Sequence, residues 1–552
     1  MEIAKKLLAQ GKPLAALERL KKILQTGENW QVHELIGAAF HDLADAEGAA
    51  QAYFNAAQAD TILRFQRAHF SNYIFALHYL PQITDENLFD AAQIYNSLYR
   101  DTKTLKPLKK TYKKIHVAYI SPHFLDSSAA RFFESLLTDY DREKFFVTAW
   151  SLSNDEDNFT KKIRRNVDGF FNIAEISFEE AALKIRDGGA DILFDLGGHT
   201  EGGVTLQIAA YKPARVQISG VGYFDTTGIS DYFLTDNFLS TEFFTEKLLK
   251  IENAFAFTPN SKMISAKNTI PLSHYPTIPL QFGCFNNFMK ITDEYLMTVK
   301  KILAQVSNSK IIFRDTTPLE SRRAALIERL KNFEIERAEV YTGADDYLSD
   351  FKRVDLILDT FPYNGGFMTA LALYMGVPVV NLNGDNHFSK VGADILRIAG
   401  QENFIAETVD EYTEYTPVYE NPYGVSYIIS TAAITENYIT FEIDQDGSMG
   451  GVSWTAREFY TYDTTTGDLL KLEDMAIDVD ELKTFISHEV REYIEENFTN
   501  YIPQADLDDT IDEIISQVGN YGILDDKFIV VLPKYSIGAG ADGVRKVEIN
   551  KD

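Results

Sequence analysis

The amino-acid sequence predicts an α/β protein: two Rossmann-like domains, an α-helical repeat cap before them and a separate α+β domain after them. Three observations carry that prediction. Residues 354–382 read as strand, Gly-rich loop, helix and strand, the order of a parallel βαβ unit. Small and aromatic residues near the N-terminus recur with a period of 33, as stacked helical hairpins require. From residue 416 onward 27 Asp and Glu stand against nine Lys and Arg, so 18 of the 28 net negative charges fall in the last quarter of the chain.

A chain of 552 residues exceeds one core, and the expected divisions are 1–102, 115–275, 278–412 and 420–552. Hydrophobic content of 45% suits folded globules, and a net charge of −28 argues against a nucleic-acid backbone as partner. The single cysteine, Cys284, excludes an internal disulfide and cysteine metal clusters, and reads as a small buried hydrophobe. Lys5, Lys6, Gln10 and Gly11 interrupt the first apolar run, which therefore is not a signal peptide. No run approaches the roughly 18 apolar residues of a membrane span, so a cytoplasmic protein without membrane partners is expected.

In chain order, Gly37, Phe40, Ala49, Tyr53 and Ala56 fall at the spacing of a tetratricopeptide repeat, and Ala4, Leu7, Ala16, Leu20 and Ile23 form a degenerate earlier copy. An ordinary pair of helical hairpins is the alternative. Either way two repeats are too few to stand alone, so they must dock on something. Helical patterning continues through 69–77 and 86–99 and ends at a basic hinge, 103–114. Residues 115–121 read as the first strand of an α/β domain and lead into Ser121-Pro122-His123-Phe124-Leu125-Asp126-Ser127, before a helix at 129–137 and a strand at 145–152. The strand 190–195 runs into Gly197-Gly198-His199-Thr200, which puts His199 at a strand's carboxyl end, where α/β folds place their chemistry; a structural histidine is the alternative. After a poorly patterned crossover at 257–277, strand 280–285 leads into Asn286-Asn287-Phe288-Met289-Lys290, then helix 292–306 and strand 310–313. A lysine at that strand end is placed to neutralise a diphosphate, or is a plain surface lysine.

Residues 354–358 form an apolar strand closed by Asp359-Thr360. In the loop that follows, Asn364 reads as a helix cap, and Gly365 and Gly366 let backbone N–H groups approach a ligand with no Cβ in the way; a tight turn is the alternative. A helix at 369–375 stops at Gly376 and Pro378, strand 379–382 follows, and the helix N-terminus is a ready anion site. The run from Asp359-Thr360-Phe361-Pro362-Tyr363-Asn364-Gly365-Gly366 through Thr369, Tyr374-Met375-Gly376-Val377-Pro378, His387 and Gly392 resembles the nucleotide-sugar-binding half of the bacterial relatives of protein O-GlcNAc transferase, the SPINDLY-like glycosyltransferases. The resemblance covers residues 1–415.

That resemblance implies a GT-B-like pair of Rossmann-like domains. It also implies metal-independent transfer of a sugar, N-acetylglucosamine from its uridine diphosphate, to Ser/Thr hydroxyls of a protein acceptor docked on the helical repeats, with no cofactor. Catalytic roles are implied for His199, which stands in the family's order of motifs with 212–217 and 222–228, and His123 is a second candidate. Relatives place a histidine facing the reaction centre where this chain has Ser127; His123 stands four residues earlier and Asp126 one earlier. Nucleotide-sugar contacts are implied for Asn287, Lys290, Tyr347, Asn364, Gly365, Gly366, Phe367, Met368, Thr369, His387 and Lys390. Tyr347 falls at the position of a uracil-stacking histidine, or is a half-buried helix aromatic. Lys390 keeps the charge of a family arginine without its fork. Phe367 and Leu371 replace a threonine and a ribose-holding carboxylate, and Phe224-Asp225 replace Pro-Gly in a family loop. A catalytically inactive nucleotide-sugar or protein-binding module is therefore the second reading.

Beyond residue 415 the pattern changes to strands at 427–431, 438–443, 449–453 and 458–463, two acidic helices at 480–497 and 507–518, and a final pair of strands at 528–533 and 544–549. Gly450-Gly451, the stretch from Tyr462 to Asp474 and Pro533-Lys534-Tyr535 resemble the domain of unknown function at the outer end of lysozyme-sensing anti-sigma factors and in some peptidoglycan deacetylases. A natural fusion and an artificial join both fit. An interaction domain without catalysis is expected there.

Overall fold

Gly37 and Tyr53 show why the first helices pair as they do. In the computed structural model the chain opens with α1 (Glu2–Ala9), α2 (Pro13–Leu24), α3 (Trp30–Asp42), α4 (Ala46–Ala59), α5 (Leu63–Leu77) and α6 (Asp85–Ser97). A Cβ on Gly37 would lie 2.6 Å from the Tyr53 ring, and one on Gly48 2.6 Å from the Phe40 ring. Small residues thus let α3 and α4 close up while aromatic rings fill the seam. Ala4, Ala16, Leu20, Val32 and Ala39 form one core of this stack, each with no exposed surface. Asn29, Asp45 and Thr84 cap α3, α4 and α6.

The structure describes all residues except 26, 28, 109–112, 222–225, 239–242, 269–278, 415–425, 436, 450–451, 476–477, 498–503, 525–526, 533–544 and 551–552. The chain divides into two compact units, Met1–Tyr415 and Thr416–Asp552.

After the helices the first unit alternates strand and helix: β1 (Ile115–Ser121), α7 (Ala130–Thr138), β2 (Phe145–Ser151), α8 (Asn158–Asn166), β3 (Gly169–Asn172), α9 (Phe178–Asp187), β4 (Ile192–Asp195), α10 (Val204–Ala209), β5 (Val216–Gly220), β6 (Tyr232–Asp236), β7 (Lys247–Ile251) and α11 (Ser261–Asn268). These strands make one parallel sheet in the order β3-β2-β1-β4-β5-β6-β7. A second alternation follows: β8 (Leu280–Cys284), α12 (Asp293–Gln305), β9 (Ser309–Asp315), α13 (Glu320–Asn332), β10 (Ala338–Thr342), α14 (Tyr347–Asp350), β11 (Leu356–Leu358), α15 (Phe367–Tyr374), β12 (Val379–Leu382), α16 (Val391–Ile398), β13 (Ile405–Ala406) and α17 (Val409–Glu414). Its parallel sheet runs β10-β9-β8-β11-β12-β13. Strands buried on both faces need continuous apolar runs, which is why β8, β9, β11 and β12 were legible as such. In each sheet the order reverses once, between β1 and β4 and between β8 and β11, and ligands of doubly wound sheets bind beyond the carboxyl ends at such a switch.

The helical cap does dock. Side chains of α4, α5 and α6 share a core with Ala181, Ala182 and Ile185 of α9 and Leu206 and Ile208 of α10. Gly203, at φ +66°, passes so close to α5 and α6 that a Cβ there would lie 2.5 Å from Ser71 Oγ and 2.8 Å from the Tyr95 hydroxyl. The cap touches the second sheet's domain too: buried Arg322 of α13 donates to His41 O (3.0 Å), and Ser321 Oγ donates to Asp42 O (2.8 Å).

The second unit holds β14 (Ser426–Ile434), β15 (Tyr438–Met449) and β16 (Val452–Asp463) in one antiparallel sheet, then α18 (Val479–Asn497) and α19 (Gln504–Ser516), then β17 (Tyr521–Leu524), β18 (Lys527–Leu532) and β19 (Arg545–Asn550) in another. Where separate strands at 438–443, 449–453 and 458–463 were expected, there is one long hairpin, paired from Tyr438↔Asp463 to Met449↔Val452. Its polar middle has weak strand propensity, and cross-strand pairing overrides it. Strand β17 was missed because Gly522 breaks its apolar pattern; a Cβ there would lie 2.6 Å from Phe459 Cβ, so the strand needs glycine to pass. Ile486, Val490, Ile494, Leu507 and Ile511, all fully buried, anchor a core of the unit's own. Gly450-Gly451 and Pro533-Lys534-Tyr535 lie outside the described residues, as do residues 415–425.

Candidate active site

The βαβ stretch builds its crevice around a buried acid. Asp359, at the carboxyl end of β11, is 0% exposed. Its Oδ1 accepts from Asn286 Nδ2 (2.7 Å), Thr360 N (2.9 Å) and Gly365 N (2.8 Å), and its Oδ2 accepts from Asn381 Nδ2 (2.9 Å) and lies 3.1 Å from Thr369 Oγ1. Burial pushes the carboxyl up from its usual range, and these donors pull it back. Glycine is required beside it, since a Cβ on Gly365 would lie 2.7 Å from Oδ1 and one on Gly392 2.7 Å from Oδ2.

Asn364 does not cap the helix, contrary to expectation. Gly366 precedes α15 with no side-chain cap, and Asn364 Nδ2 instead donates to Thr360 O (3.1 Å) and Leu382 O (3.2 Å), which draws the loop down onto β12. Without a side-chain cap, the first-turn N–H groups of Phe367 and Met368 are left as the orphan donors of a helix N-terminus. Lys290, half-buried after β8, reaches the same loop: its ammonium donates to Asn364 O at 2.6 Å and sits 3.8 Å from the centre of the Tyr363 ring. Burial lowers it to about 8, against the opposing pull of Asp359. Asn287 turns away, its Oδ1 accepting from Met289 N (3.0 Å) and Arg322 Nη1 (3.0 Å). His387 is buried between the two domains, 3.4 Å from Thr235 Oγ1, between the rings of Phe233 and Phe244, with its backbone N–H donated to Asp85. Lys390 precedes α16 and is half-buried.

On the first sheet, His123 follows β1 and is half-buried. Its Nε2 lies 2.9 Å from Thr200 Oγ1, which spends its own proton on Gly197 O (2.6 Å), so Nε2 is the protonated nitrogen and Nδ1 the basic one. Burial lowers its pKa below the ordinary histidine value. His199 is completely buried against the cap, Nδ1 2.8 Å from Ser71 Oγ and its ring edge-on to Tyr95 at 4.9 Å. Burial holds it neutral, at about 3. The expected acceptor-facing His199 is thus a clamp holding the turn that carries Thr200. Ser127 Oγ accepts from Ala130 N (3.3 Å) and so helps start α7.

Ser127, Asp126, Tyr347 and Phe367 meet in a cleft of about 830 Å³ between the two Rossmann-like domains, lined also by Asn260 and Lys262. Lys290, Asn364, His123 and His199 are not among its lining. Sequence reasoning missed Asp359 as a hub, although an acid at the end of an apolar strand was a usable signal. It also missed Arg131, 2% exposed, which is paired with Glu134 (3.1 Å) and Asp126 (3.4 Å) behind the cleft wall. Among the described residues the metal-ligand spacing occurs in His488, Glu489 and Glu492, on the surface of α18. No helix among the described residues is long and apolar enough to cross a membrane.

Residues 93–270 match the family described as Glycosyl transferase family 41. The chain is 29% identical over 365 residues to the tomato (Solanum lycopersicum) protein named probable UDP-N-acetylglucosamine–peptide N-acetylglucosaminyltransferase SPINDLY, and 30% identical over 366 residues to the protein of the same name from Arabidopsis thaliana. Each alignment covers 62% of this chain and 39% of the relative, so the chain spans about two fifths of the length of the curated relatives it matches. Among solved structures, a Thermobaculum terrenum O-GlcNAc transferase mutant superposes with a TM-score of 0.59 at 24% identity, over 74% of this chain and 87% of that one. Residues within the first unit therefore have the fold of a glycosyltransferase.

Proposed function

We propose that the chain transfers a sugar, N-acetylglucosamine from its uridine diphosphate, to Ser/Thr hydroxyls of a protein, without a metal. The observation that carries the reading is the place of Lys290 and the α15 N-terminus: both stand at the β8/β11 switch point, where a departing diphosphate needs positive charge and N–H donors. The family match on the first domain and the two-sheet architecture support it. In the step proposed, the acceptor oxygen attacks the anomeric carbon, and the carbon–oxygen bond to the diphosphate breaks with its electrons on the uridine diphosphate. The hydroxyl proton passes to His123 Nδ1. Lys290 and the N–H groups of Phe367 and Met368 stabilise the charge left behind. Tyr347, on the cleft wall, offers a ring for the uracil. The protein acts in the cytoplasm, with its acceptor docked on the helical repeats, and the acidic second unit, of anti-sigma-factor-tail type, binds partner proteins.

A specific observation favours the rival, a nucleotide-sugar-binding module without turnover: Ser127 helps cap a helix and supplies no base. Incubating the chain with a panel of nucleotide sugars and a peptide library in excess chelator separates the two. Transfer from UDP-N-acetylglucosamine is expected. Nucleotide binding with no turnover on any peptide leaves the rival standing.

A further inference from the structure

Asp359 is costly where it is. Taking a carboxylate out of water carries a penalty of several kcal/mol unless donors and a cation offset it. The donors are four residues from three places in the chain: Asn286 after β8, Thr360 and Gly365 in the loop, and Asn381 in β12. One of them, Gly365 N–H, is thereby spent on the carboxylate. The cation is less obvious. Lys290 makes no direct ion pair among the described residues; its near partners, Asn364 O and the Tyr363 ring, are neutral. Two titratable groups act on it besides Tyr363: Asp359, and Cys284, whose thiol burial pushes up to about 12 and so keeps uncharged.

We infer that Asp359 is a positioning residue of this site: its carboxylate holds the Gly365 N–H and the Thr369 hydroxyl, and through the peptide group whose other end, Asn364 O, accepts from Lys290, it sets where the Lys290 ammonium stands. The inference rests on the nucleotide-sugar reading for its purpose, because an ammonium beside a helix N-terminus is useful only if an anion is to be bound. Its physical content stands without any ligand. Burial lowers the pKa of half-buried Lys290 and the Asp359 carboxylate pulls the other way, so without Asp359 the empty site holds Lys290 as an ammonium less readily.

The test is the titration of Lys290 in the full chain, read as the pH dependence of its acylation by a small acetylating reagent and resolved by peptide mass spectrometry. Asp359→Asn, nearly the same shape without the charge, should move the Lys290 midpoint down from about 8 by about one unit, which takes the ammonium fraction at pH 7.5 down, and uridine diphosphate binding with it, about threefold. An Asp359→Asn protein that melts cooperatively while Lys290 titrates as in the wild type overturns the inference. Should that variant not fold, Lys290→Met decides from the other side: losing the cation must raise the pH at which the Asp359 carboxyl carbon titrates by NMR, and an unmoved carboxyl overturns the inference as well. A wild-type chain that binds no uridine diphosphate defeats the nucleotide reading, while the Lys290 titration still decides the role of Asp359.

Discussion

If the proposed transfer holds, Lys290 and His123 together set its pH window. His123 acts as a base only when neutral, and burial lowers its pKa, so activity should hold as pH falls through the ordinary histidine range and drop only below it. Lys290 acts only as an ammonium, so activity should fall as pH rises through about 8. A kcat/KM profile over pH 5–10 checks both limbs; an alkaline limb near 10 would mean that Lys290 is outside the reaction. Lys290→Ala should cost about 1.5–3 kcal/mol of nucleotide binding, the usual worth of a charge-assisted hydrogen bond, with the melting temperature little changed. His199→Ala should behave differently: packed against Ser71 and Tyr95, it should lose stability first and turnover through the displaced Thr200, with nucleotide affinity intact by calorimetry. At this scale Lys290 was legible because a strand end, a lysine and a following helix are local facts. His199 was legible as a position and not as an environment, since Ser71 lies 128 residues away in sequence and no pattern links them.

The elements with a strict period were read nearly to the residue, and those shaped by distant neighbours were not. Strands β1 and β12 and helix α12 follow from apolar runs and flanking Gly, Pro and Thr. Asn364 was misread because its capping propensity is local, whereas the carbonyls of Thr360 and Leu382 that claim its amide are brought there by the fold. The Gly197–Gly203 turn is the element on which the cap depends. Gly203→Ala puts a methyl 2.5 Å from Ser71 Oγ at φ +66°, and overpacking of that kind should cost about 1–3 kcal/mol, read as a lower melting temperature of the first unit with the second unit's transition unmoved. A melting temperature within error of the wild type would show that the turn and α5 part freely.

Across the whole molecule, the helical cap is bound to both Rossmann-like domains, through Gly203 and His199 on one side and Arg322 and Ser321 on the other. Composition announced the second unit, because charge density changes at a boundary even where no motif does; the cap's double attachment was invisible, because it is a property of tertiary contact alone. The two units each bury a core of their own, so a fragment starting near Thr416 should melt cooperatively and residues 1–415 should keep nucleotide affinity. Loss of affinity on truncation would make the acidic unit part of the nucleotide-binding unit. The most direct measurement of the central claim is intact-mass analysis of a Ser/Thr peptide acceptor incubated with UDP-N-acetylglucosamine and excess chelator, with the wild-type chain and with Lys290→Ala. The predicted result is a gain of one N-acetylhexosamine with the wild type, strongly reduced in the variant. An acceptor whose mass never changes, or equal gains with both proteins, would contradict it.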